Sequence, residues 1–357
     1  MKPKQLAIYI LRLVYRTGLS SGRKPDRPHS IAILAPERYG DLILLTPLIH
    51  HLRLYIPDIQ ITLVGVSNMV YLFKFDSRVQ EIYNGKKLLY RLFHPLFYTS
   101  YDWLYNPKDH PSFVFLLLTG RIKAKSKIGI EHRAHRGFYH HLLPVEKEWS
   151  KLKINCSLLS HLSVIVTESI LKPYFPEGPV SDEIRGFTTS QDLVQTIVIN
   201  LSASNEIRQW PTGYWQEILK EINKPVVIVS MPRQSDIKNR LETTCASVVA
   251  SPPTKTLYDA AYLISRCRLL ITPDTALIHV ASSYNTPVIG LYTYRREYSK
   301  FAALSDFQEI LFSESDTIQS IQPADVIAAY NRIRRAIEND PEKNPGRNNR
   351  LPNKGGE

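Results

Sequence analysis

Polar residues that could do chemistry stand in three short segments, each between an apolar run and a helical pattern. The first is Glu37-Arg38-Tyr39-Gly40-Asp41, which follows the apolar run 30–35. Gly40 permits a tight turn, and Asp41 falls at the start of the next helix, where its carboxylate could face a bound ligand or simply cap the helix. The segment lacks the G-x-G-x-x-G pattern, which disfavours a nicotinamide or flavin cofactor.

The second segment is a loop of small polar residues over positions 200–210. The hydroxyls of Ser202 and Ser204, together with the loop amides, could hold phosphate oxygens, and Arg208 could add a fixed positive charge. The alternative is an ordinary solvated turn with Trp210 in the core.

The third segment covers positions 271–279. Asp274 is expected to cap a helix whose first turn offers free amides and the positive end of the helix dipole to an anion. Thr275 and His279 share one face of that helix at i, i+4 spacing. His279 could equally be a structural histidine.

Alternating strands and helices position these segments. Strand 30–35, helix 41–55 and strand 59–64 form one βαβ unit, and the alternation restarts near residue 190 with strands at 196–200, 226–230, 269–271 and 288–291. This predicts an α/β chain of two doubly wound, Rossmann-like domains with parallel sheets. Such sheets bind ligands outside the carboxyl ends of their strands, so we expect the substrates in a cleft between the domains.

The alternation also suggests the domain boundaries. We expect a basic amphipathic segment at 1–28, domains at 29–165 and 190–315 joined by a linker at 166–189, a helix at 316–337 that packs back, and a disordered tail at 338–357.

The composition of the chain limits the classes of partner that are expected. The 357 residues include 45 Lys and Arg against 33 Asp and Glu, a net charge of +12 at pH 7. Residues 86–153 hold thirteen basic and five acidic side chains, so the N-terminal half is expected to face an acidic partner. The scattered Cys156, Cys245 and Cys267 show no disulfide or zinc spacing and indicate a reduced, cytosolic chain. No nucleic-acid-binding motif is present, so nucleic acid is not an expected partner.

The N-terminal segment carries seven basic residues and one acidic residue within its first 30 positions. Between Lys4 and Arg16 it reads as a helix with a broad apolar face, made of Leu6, Ile10, Leu13 and Val14. It is too short to span a membrane. It could lie on an anionic membrane surface or dock on its own protein.

Taken in their order along the chain, over about residues 30–295, the motifs resemble those of glycosyltransferase family 9, the ADP-heptose:lipopolysaccharide heptosyltransferases. The matching stretches are Gly40–Pro47, Leu52–Pro57, Arg208–Pro211, Asp274–Ala281 and Thr286–Val288. The resemblance implies the GT-B architecture, with an acceptor on the N-terminal domain and a nucleotide-sugar donor on the C-terminal domain. It also implies inverting transfer without a metal ion or other cofactor.

The resemblance assigns roles to residues. Asp41 is the candidate base, although a helix N-terminus should lower its pKa and weaken it as a base. Arg38 and Gly40 are placed at the acceptor. The donor-binding residues implied are Ser202, Ser204, Arg208, Asp274, Thr275, Ala276 and His279.

The implied function is transfer of a heptose from ADP-heptose to the lipopolysaccharide inner core, on a lipid A–Kdo acceptor. The enzyme would be cytoplasmic and peripheral at the inner face of the inner membrane, with an anionic membrane surface as a partner. Three departures bear on the donor: Arg208 replaces the usual Lys, Ala276 the glycine of D-[ST]-G, and Thr293-Tyr294 a Gly-Pro pair.

Two other functions stay open. One is a GT-B glycosyltransferase with a different nucleotide-sugar donor or a surface-glycan acceptor. The other is a non-catalytic glycan- or membrane-binding relative, against which the joint presence of Asp41, Arg208, Asp274 and His279 argues.

Overall fold

The computed structural model describes residues 3–17, 27–89, 94–293 and 298–339. The chain divides into two compact units, Met1–Gly178 (unit 1) and Pro179–Glu357 (unit 2). This boundary lies inside the predicted linker. On its unit 1 side, the Tyr174 hydroxyl donates to the buried Asp76 carboxylate at 2.7 Å. On its unit 2 side, the Ser181 amide donates to the buried Asp259 carboxylate at 2.8 Å.

Unit 1 is built on a parallel six-stranded sheet. Its strands are β1 (Ser30–Ala35), β2 (Gln60–Gly65), β3 (Glu81–Asn84), β4 (Ser100–Asn106), β5 (Lys123–Ile130) and β6 (His141–Leu143). Its α-helices are α1 (Pro3–Val14), α2 (Tyr39–Ile43), α3 (Thr46–Tyr55), α4 (Gly85–Leu88), α5 (Pro95–Tyr98), α6 (Phe113–Arg121) and α7 (Lys151–Cys156). Short 3-10 helices cover Asn68–Phe73, Ser157–Leu162 and Glu168–Ile170.

The strand order in unit 1 is β3-β2-β1-β4-β5-β6, with Ile31 of β1 paired to Ile61 of β2 and to Trp103 of β4. The order reverses between β1 and β4. At such a switch point the connections leave the sheet in opposite directions, and the carboxyl ends of the two strands border an open crevice.

Unit 2 repeats this plan with a parallel five-stranded sheet. Its strands are β7 (Ile197–Asn200), β8 (Val226–Val229), β9 (Leu269–Pro273), β10 (Val288–Tyr292) and β11 (Gln308–Phe312). Its α-helices are α8 (Asp182–Ser190), α9 (Thr212–Glu221), α10 (Ser235–Thr244), α11 (Leu257–Ile264), α12 (Ala276–Tyr284) and α13 (Pro323–Asn339). Short 3-10 helices cover Leu193–Gln195, Glu206–Arg208, Pro232–Gln234 and Ile318–Ser320.

The strand order in unit 2 is β11-β10-β9-β7-β8, so its switch point lies between β7 and β9. Trp210 is buried in the core beside Trp215, with ring centroids 4.7 Å apart, and its indole N–H donates to the Ile321 carbonyl at 2.9 Å. The C-terminal helix α13 packs on α9, β10 and β11. The predicted tail lies outside the described residues, except for 338–339 at the end of α13.

The prediction of two Rossmann-like α/β sheets is confirmed. The predicted single helix 41–55 is wrong, because the structure breaks it into α2 and α3. Pro47 has no backbone N–H to continue the first helix, and it lies in the first turn of the second helix, where proline is tolerated. The Thr46 hydroxyl donates to the Ile43 carbonyl at 2.7 Å, which satisfies one acceptor left free by the break.

Helix α1 has features of both predicted positions, one docked on its own protein and one on a membrane surface. Its buried Ile8 packs with Leu116, Phe138 and Tyr139 of unit 1, whereas the predicted apolar face (Leu6, Ile10, Leu13, Val14) is exposed to solvent. Within the described part of the chain, every helix is too short or too polar to cross a lipid bilayer.

Candidate active-site residues

The first candidate site lies where β1 ends, at the switch point of unit 1. Asp41 is the third residue of α2, and Arg38 occupies the N-cap position with no capping hydrogen bond from its side chain. Asp41 is therefore not the capping residue. The tight turn expected at Gly40 is also wrong, because α2 begins at Tyr39 and Gly40 takes an ordinary negative φ inside it.

The environment of Asp41 raises the pKa of its carboxyl group. Burial raises its pKa above the ordinary value of 3.8, and Glu37 raises it further, while the positive charges of Lys151, Arg38 and Lys108 oppose the shift. The expected lowering by the helix N-terminus is outweighed, because loss of hydration is the largest effect. A raised pKa brings the carboxylate closer to the range in which it is an effective base.

Two lysines beside this carboxyl were missed by sequence reasoning. Lys108 follows β4, and its Nζ lies 3.0 Å from a carboxylate oxygen of Glu37. Lys151 starts α7, and its Nζ donates to the Pro107 carbonyl at 3.2 Å and lies 3.6 Å from the Asp109 carboxylate. Their only signal in the sequence was the excess of basic residues over 86–153, which does not single out two positions.

The second candidate site lies where β7 and β9 end, at the switch point of unit 2. Asn200, which is buried, links the two strand ends. Its amide nitrogen lies 2.9 Å from the Thr272 hydroxyl and 3.2 Å from the Thr275 hydroxyl, and its amide oxygen accepts from the Ser202 backbone at 2.9 Å. Sequence reasoning placed Asn200 only at the start of a loop and missed this role.

Arg208 and Asp274 come together at the same edge. Nη1 of Arg208 lies 3.0 Å from Oδ2 of Asp274, and both side chains are mostly buried but retain access to solvent. The Asn205 side chain accepts from the Arg208 amide at 3.3 Å and starts the 3-10 helix that carries the arginine. The edge therefore presents a guanidinium and a carboxylate that a bound anion could rearrange.

Thr275, not Asp274, caps α12. The Thr275 hydroxyl accepts from the Leu277 amide at 3.3 Å. The prediction that Asp274 is the cap is wrong, because the Asp274 carboxylate pairs with Arg208 instead.

His279 lies on α12 one turn beyond Thr275 and is buried. Burial lowers its pKa to about 4, so the imidazole is neutral at pH 7. Its Nδ1 has no hydrogen-bond partner among the described residues. A neutral imidazole brings no positive charge to the site.

The two loop serines differ in their surroundings. The Ser202 hydroxyl is buried, accepts from the Met231 amide at 2.6 Å and donates to the Gln234 side chain at 3.2 Å. Ser204 is exposed. The Ser202 hydroxyl thus holds the β7 and β8 loops together, while Ser204 has access to a ligand.

A family model described as glycosyltransferase family 9 (heptosyltransferase) matches residues 89–326. The chain belongs to this family. It is 24% identical over 291 residues to lipopolysaccharide core heptosyltransferase OpsX of Haemophilus influenzae, an alignment that covers 75% of this chain and 80% of the relative. It is 23% identical over 282 residues to lipopolysaccharide heptosyltransferase 3 of Escherichia coli, with 71% and 80% covered.

Among solved structures, the chain is similar to E. coli heptosyltransferase WaaC with ADP. The TM-score is 0.67 at 14% identity, and the match covers 85% of this chain and 99% of that one. At this identity the likeness shows the fold, which is the GT-B fold predicted from the sequence. Together with the family match, it makes the protein a glycosyltransferase.

In this family-9 glycosyltransferase, two further departures from the family pattern, besides Arg208, lie in unit 2. Ala276 is the first residue of α12, next to the capping Thr275. Thr293 directly follows β10 and is buried. Tyr294 lies outside the described residues.

Proposed function

We propose that this glycosyltransferase moves a heptose from ADP-heptose to the inner core of lipopolysaccharide, on a lipid A–Kdo acceptor, with inversion at the anomeric carbon and without a metal ion. The family, and relatives named as lipopolysaccharide core heptosyltransferases, support the sugar and the acceptor class. The similarity to a structure with bound ADP supports the nucleotide.

The observation that carries the proposal is the pairing of Arg208 with Asp274 at the switch point of unit 2. The departing diphosphate gains negative charge during transfer and needs positioned donors. The Arg208 guanidinium and the amides at the start of α12 supply them, while Thr275 fixes that helix start. When the diphosphate takes over the guanidinium, the Asp274 carboxylate becomes available to hydroxyls of the sugar.

Ser202, Ser204 and His279 take supporting roles in this proposal. Ser204 and the loop amides hold phosphate oxygens, and Ser202 fixes the loop through its contacts with Met231 and Gln234. Neutral, buried His279 supports the helix that carries Thr275 and Ala276.

Asp41 is the proposed base in unit 1. Its raised pKa lets the carboxylate accept the proton of the acceptor hydroxyl as that oxygen attacks the anomeric carbon. The bond between the anomeric carbon and the diphosphate oxygen breaks, and its electron pair leaves with ADP. If the proton moves late, Asp41 mainly orients the hydroxyl.

The cations around Asp41 suit an acidic acceptor. Arg38 is exposed beside the carboxylate, and Lys108 follows the neighbouring strand end. We assign Arg38 and the Gly40 backbone to the acceptor, whose Kdo sugar carries a carboxylate. The enzyme works at the cytoplasmic face of the inner membrane as a peripheral protein, since its acceptor is a lipid, and nucleic acid is not a partner.

A turnover assay with a panel of nucleotide sugars and truncated lipopolysaccharide acceptors tests this function. We expect ADP-heptose with a Kdo-terminated acceptor to give the fastest transfer, and NMR of the product to show an inverted anomeric centre. Faster transfer from another nucleotide sugar would establish the different-donor alternative, for which Ala276 and Thr293 are the residues to examine. ADP-heptose binding without transfer to any acceptor would favour the non-catalytic relative.

A further inference from the structure

Helix α1 carries an apolar face that is exposed to solvent in the described part of the chain. Five large side chains on it are between 47% and 66% exposed. They are Leu6, Tyr9, Ile10, Leu13 and Val14. At 100° per residue they span an arc of about 140° along the helix. This is a continuous apolar strip rather than the scattered exposure normal for a protein surface.

The opposite face of α1 is held on unit 1. Buried Ile8 and half-buried Leu11 pack on the cluster that contains Leu116 and Phe138. The Tyr15 ring lies over Gly120 so closely that a Cβ on that glycine would stand 2.4 Å from it.

Polar contacts hold the same side of the segment. Nη2 of Arg12 donates to the Ala134 carbonyl at 3.1 Å, and the Thr17 amide donates to the Gly137 carbonyl at 2.8 Å. The helix therefore cannot roll its exposed strip inward without breaking these contacts.

Exposed arginines lie close to α1 in the chain and in its contacts. Arg16 follows the helix by two residues, and Arg133 and Arg136 are exposed on the loop that Arg12 and Thr17 contact through the Ala134 and Gly137 carbonyls. Arg136 lies 3.8 Å from Glu131, an acidic neighbour on that loop. Anionic lipid headgroups complement arginines beside an apolar strip. A second copy of the chain would bring its own arginines against these, which disfavours self-association through this face.

We propose that α1 is the membrane-docking surface of this enzyme. Its exposed strip enters the boundary between headgroups and acyl chains of an anionic bilayer, while Arg16, Arg133 and Arg136 contact the headgroups. The opposite face stays on unit 1, so the helix ties unit 1 rigidly to the bilayer. This deepens the proposed function, on which it rests only for the identity of the membrane.

Vesicle co-sedimentation tests the proposal with the full chain. The protein should sediment with vesicles of phosphatidylethanolamine and phosphatidylglycerol, far less with phosphatidylcholine alone, and less in high salt. The double variant Ile10→Glu/Leu13→Glu should weaken binding at least tenfold, a fold-change of about the size expected for one buried leucine. The double variant Arg16→Glu/Arg133→Glu should bind more weakly and lose most of the salt dependence.

Leu54→Glu is the matched control, since Leu54 is an exposed leucine on α3 of the same unit. It should bind vesicles like the parent protein, and thermal melts should show all variants folded. The proposal is overturned if the parent ignores anionic vesicles or if Ile10→Glu/Leu13→Glu binds as well as Leu54→Glu. It is also overturned if the parent is a dimer in sedimentation velocity that this double variant dissociates.

Transfer to a short, lipid-free acceptor separates this proposal from the proposed function. The α1 variants should keep the parent's rate on that acceptor. If no variant and no parent protein transfers a heptose, the proposed function fails while the vesicle result still decides the role of α1.

Discussion

Nη1 of Arg208 lies 3.0 Å from the Asp274 carboxylate, across the two strand ends that flank the switch point of unit 2. In the absence of substrate, the Asp274 carboxylate neutralises the charge of the partly buried Arg208 guanidinium. A diphosphate with two negative charges competes for the arginine better than one carboxylate. In the proposed donor site, binding of the diphosphate would therefore release the Asp274 carboxylate.

Arg208→Ala should weaken ADP binding and slow transfer together, each by about tenfold to a hundredfold, the range for loss of a charge-assisted hydrogen bond. Arg208→Lys should recover much of both, because it keeps the charge while changing the geometry. Calorimetry with ADP and a turnover assay measure the two effects. Arg332→Ala is the control, since Arg332 also pairs with a carboxylate, that of Glu309 at 2.8 Å, but on α13. Unchanged ADP affinity in Arg208→Ala would show that the loop is an ordinary turn with no role in donor binding.

Asp41→Asn should lower the transfer rate by about a hundredfold to ten-thousandfold, the usual contribution of a general base. Affinity for ADP should stay within a few-fold, because Asp41 belongs to unit 1. Turnover near the parent rate would remove Asp41 from the mechanism.

The same substitution should raise stability at neutral pH. The folded state binds the Asp41 proton more tightly than the unfolded chain, so stability falls as pH rises from 3.8 through the raised pKa, and the loss persists above it. Asparagine removes this loss because it does not ionise. Thermal melts should show the variant more stable than the parent at pH 7 and without that advantage near pH 3. The reverse order at pH 7 would show that the carboxylate is stabilised by its cations.

The sequence placed two candidate residues near strand ends. Asp41 and Asp274 could be placed at a sheet edge because parallel strands bring their carboxyl ends together. The pairing of Arg208 with Asp274 could not be predicted from the sequence, because it depends on the direction in which a short 3-10 helix orients the side chain of its last residue. The prediction that Asp274 caps α12 was wrong because Asp and Thr are both good N-cap residues. The ion pair between Asp274 and Arg208, a tertiary contact, leaves Thr275 as the cap.

Contacts between distant segments were beyond sequence reasoning. Lys151 reaches the surroundings of Asp41 from α7, and nothing in its local sequence marks it apart from Lys153. Asn200 and Thr272 meet across 72 positions because β7 and β9 are neighbours in the sheet, and the periodicity of the sequence does not reveal strand order. The sign of the pKa shift at Asp41 depends on burial, which the sequence left open.

Lys151 should tune the pH dependence of transfer. Its positive charge is the largest influence that lowers the pKa of Asp41 against burial. Lys151→Met should therefore raise that pKa further and move the acidic limb of the pH–rate profile to higher pH. Lys151→Arg keeps the charge and should leave the limb near its original position. If Lys151→Met lowers the rate equally at every pH, the lysine supports the fold or the acceptor instead of the base.

Acid should destabilise unit 2 through His279. Burial holds its folded pKa at about 4, below the ordinary value of 6.5, so the unfolded chain binds the proton more readily. The stability that depends on the neutral imidazole is fully present above pH 6.5 and is lost as pH falls toward 4. At 1.36 kcal/mol per pKa unit, the free energy of unfolding falls by up to about 3 kcal/mol. His279→Leu should remove most of this acid-dependent loss while leaving the fold intact.

Urea unfolding measures this effect when it is followed by the fluorescence of Trp210 and Trp215, which lie in the core of unit 2, in a background where Trp103 and Trp149 of unit 1 are replaced by Phe. The free energy of unfolding should drop between pH 7.5 and pH 4.5 by more in the parent than in His279→Leu, with pH 7.5 as the internal reference for each protein. Equal drops in the two proteins would contradict the prediction. They would mean that the imidazole gains a partner or hydration on protonation, and that other groups set the acid limit of this unit.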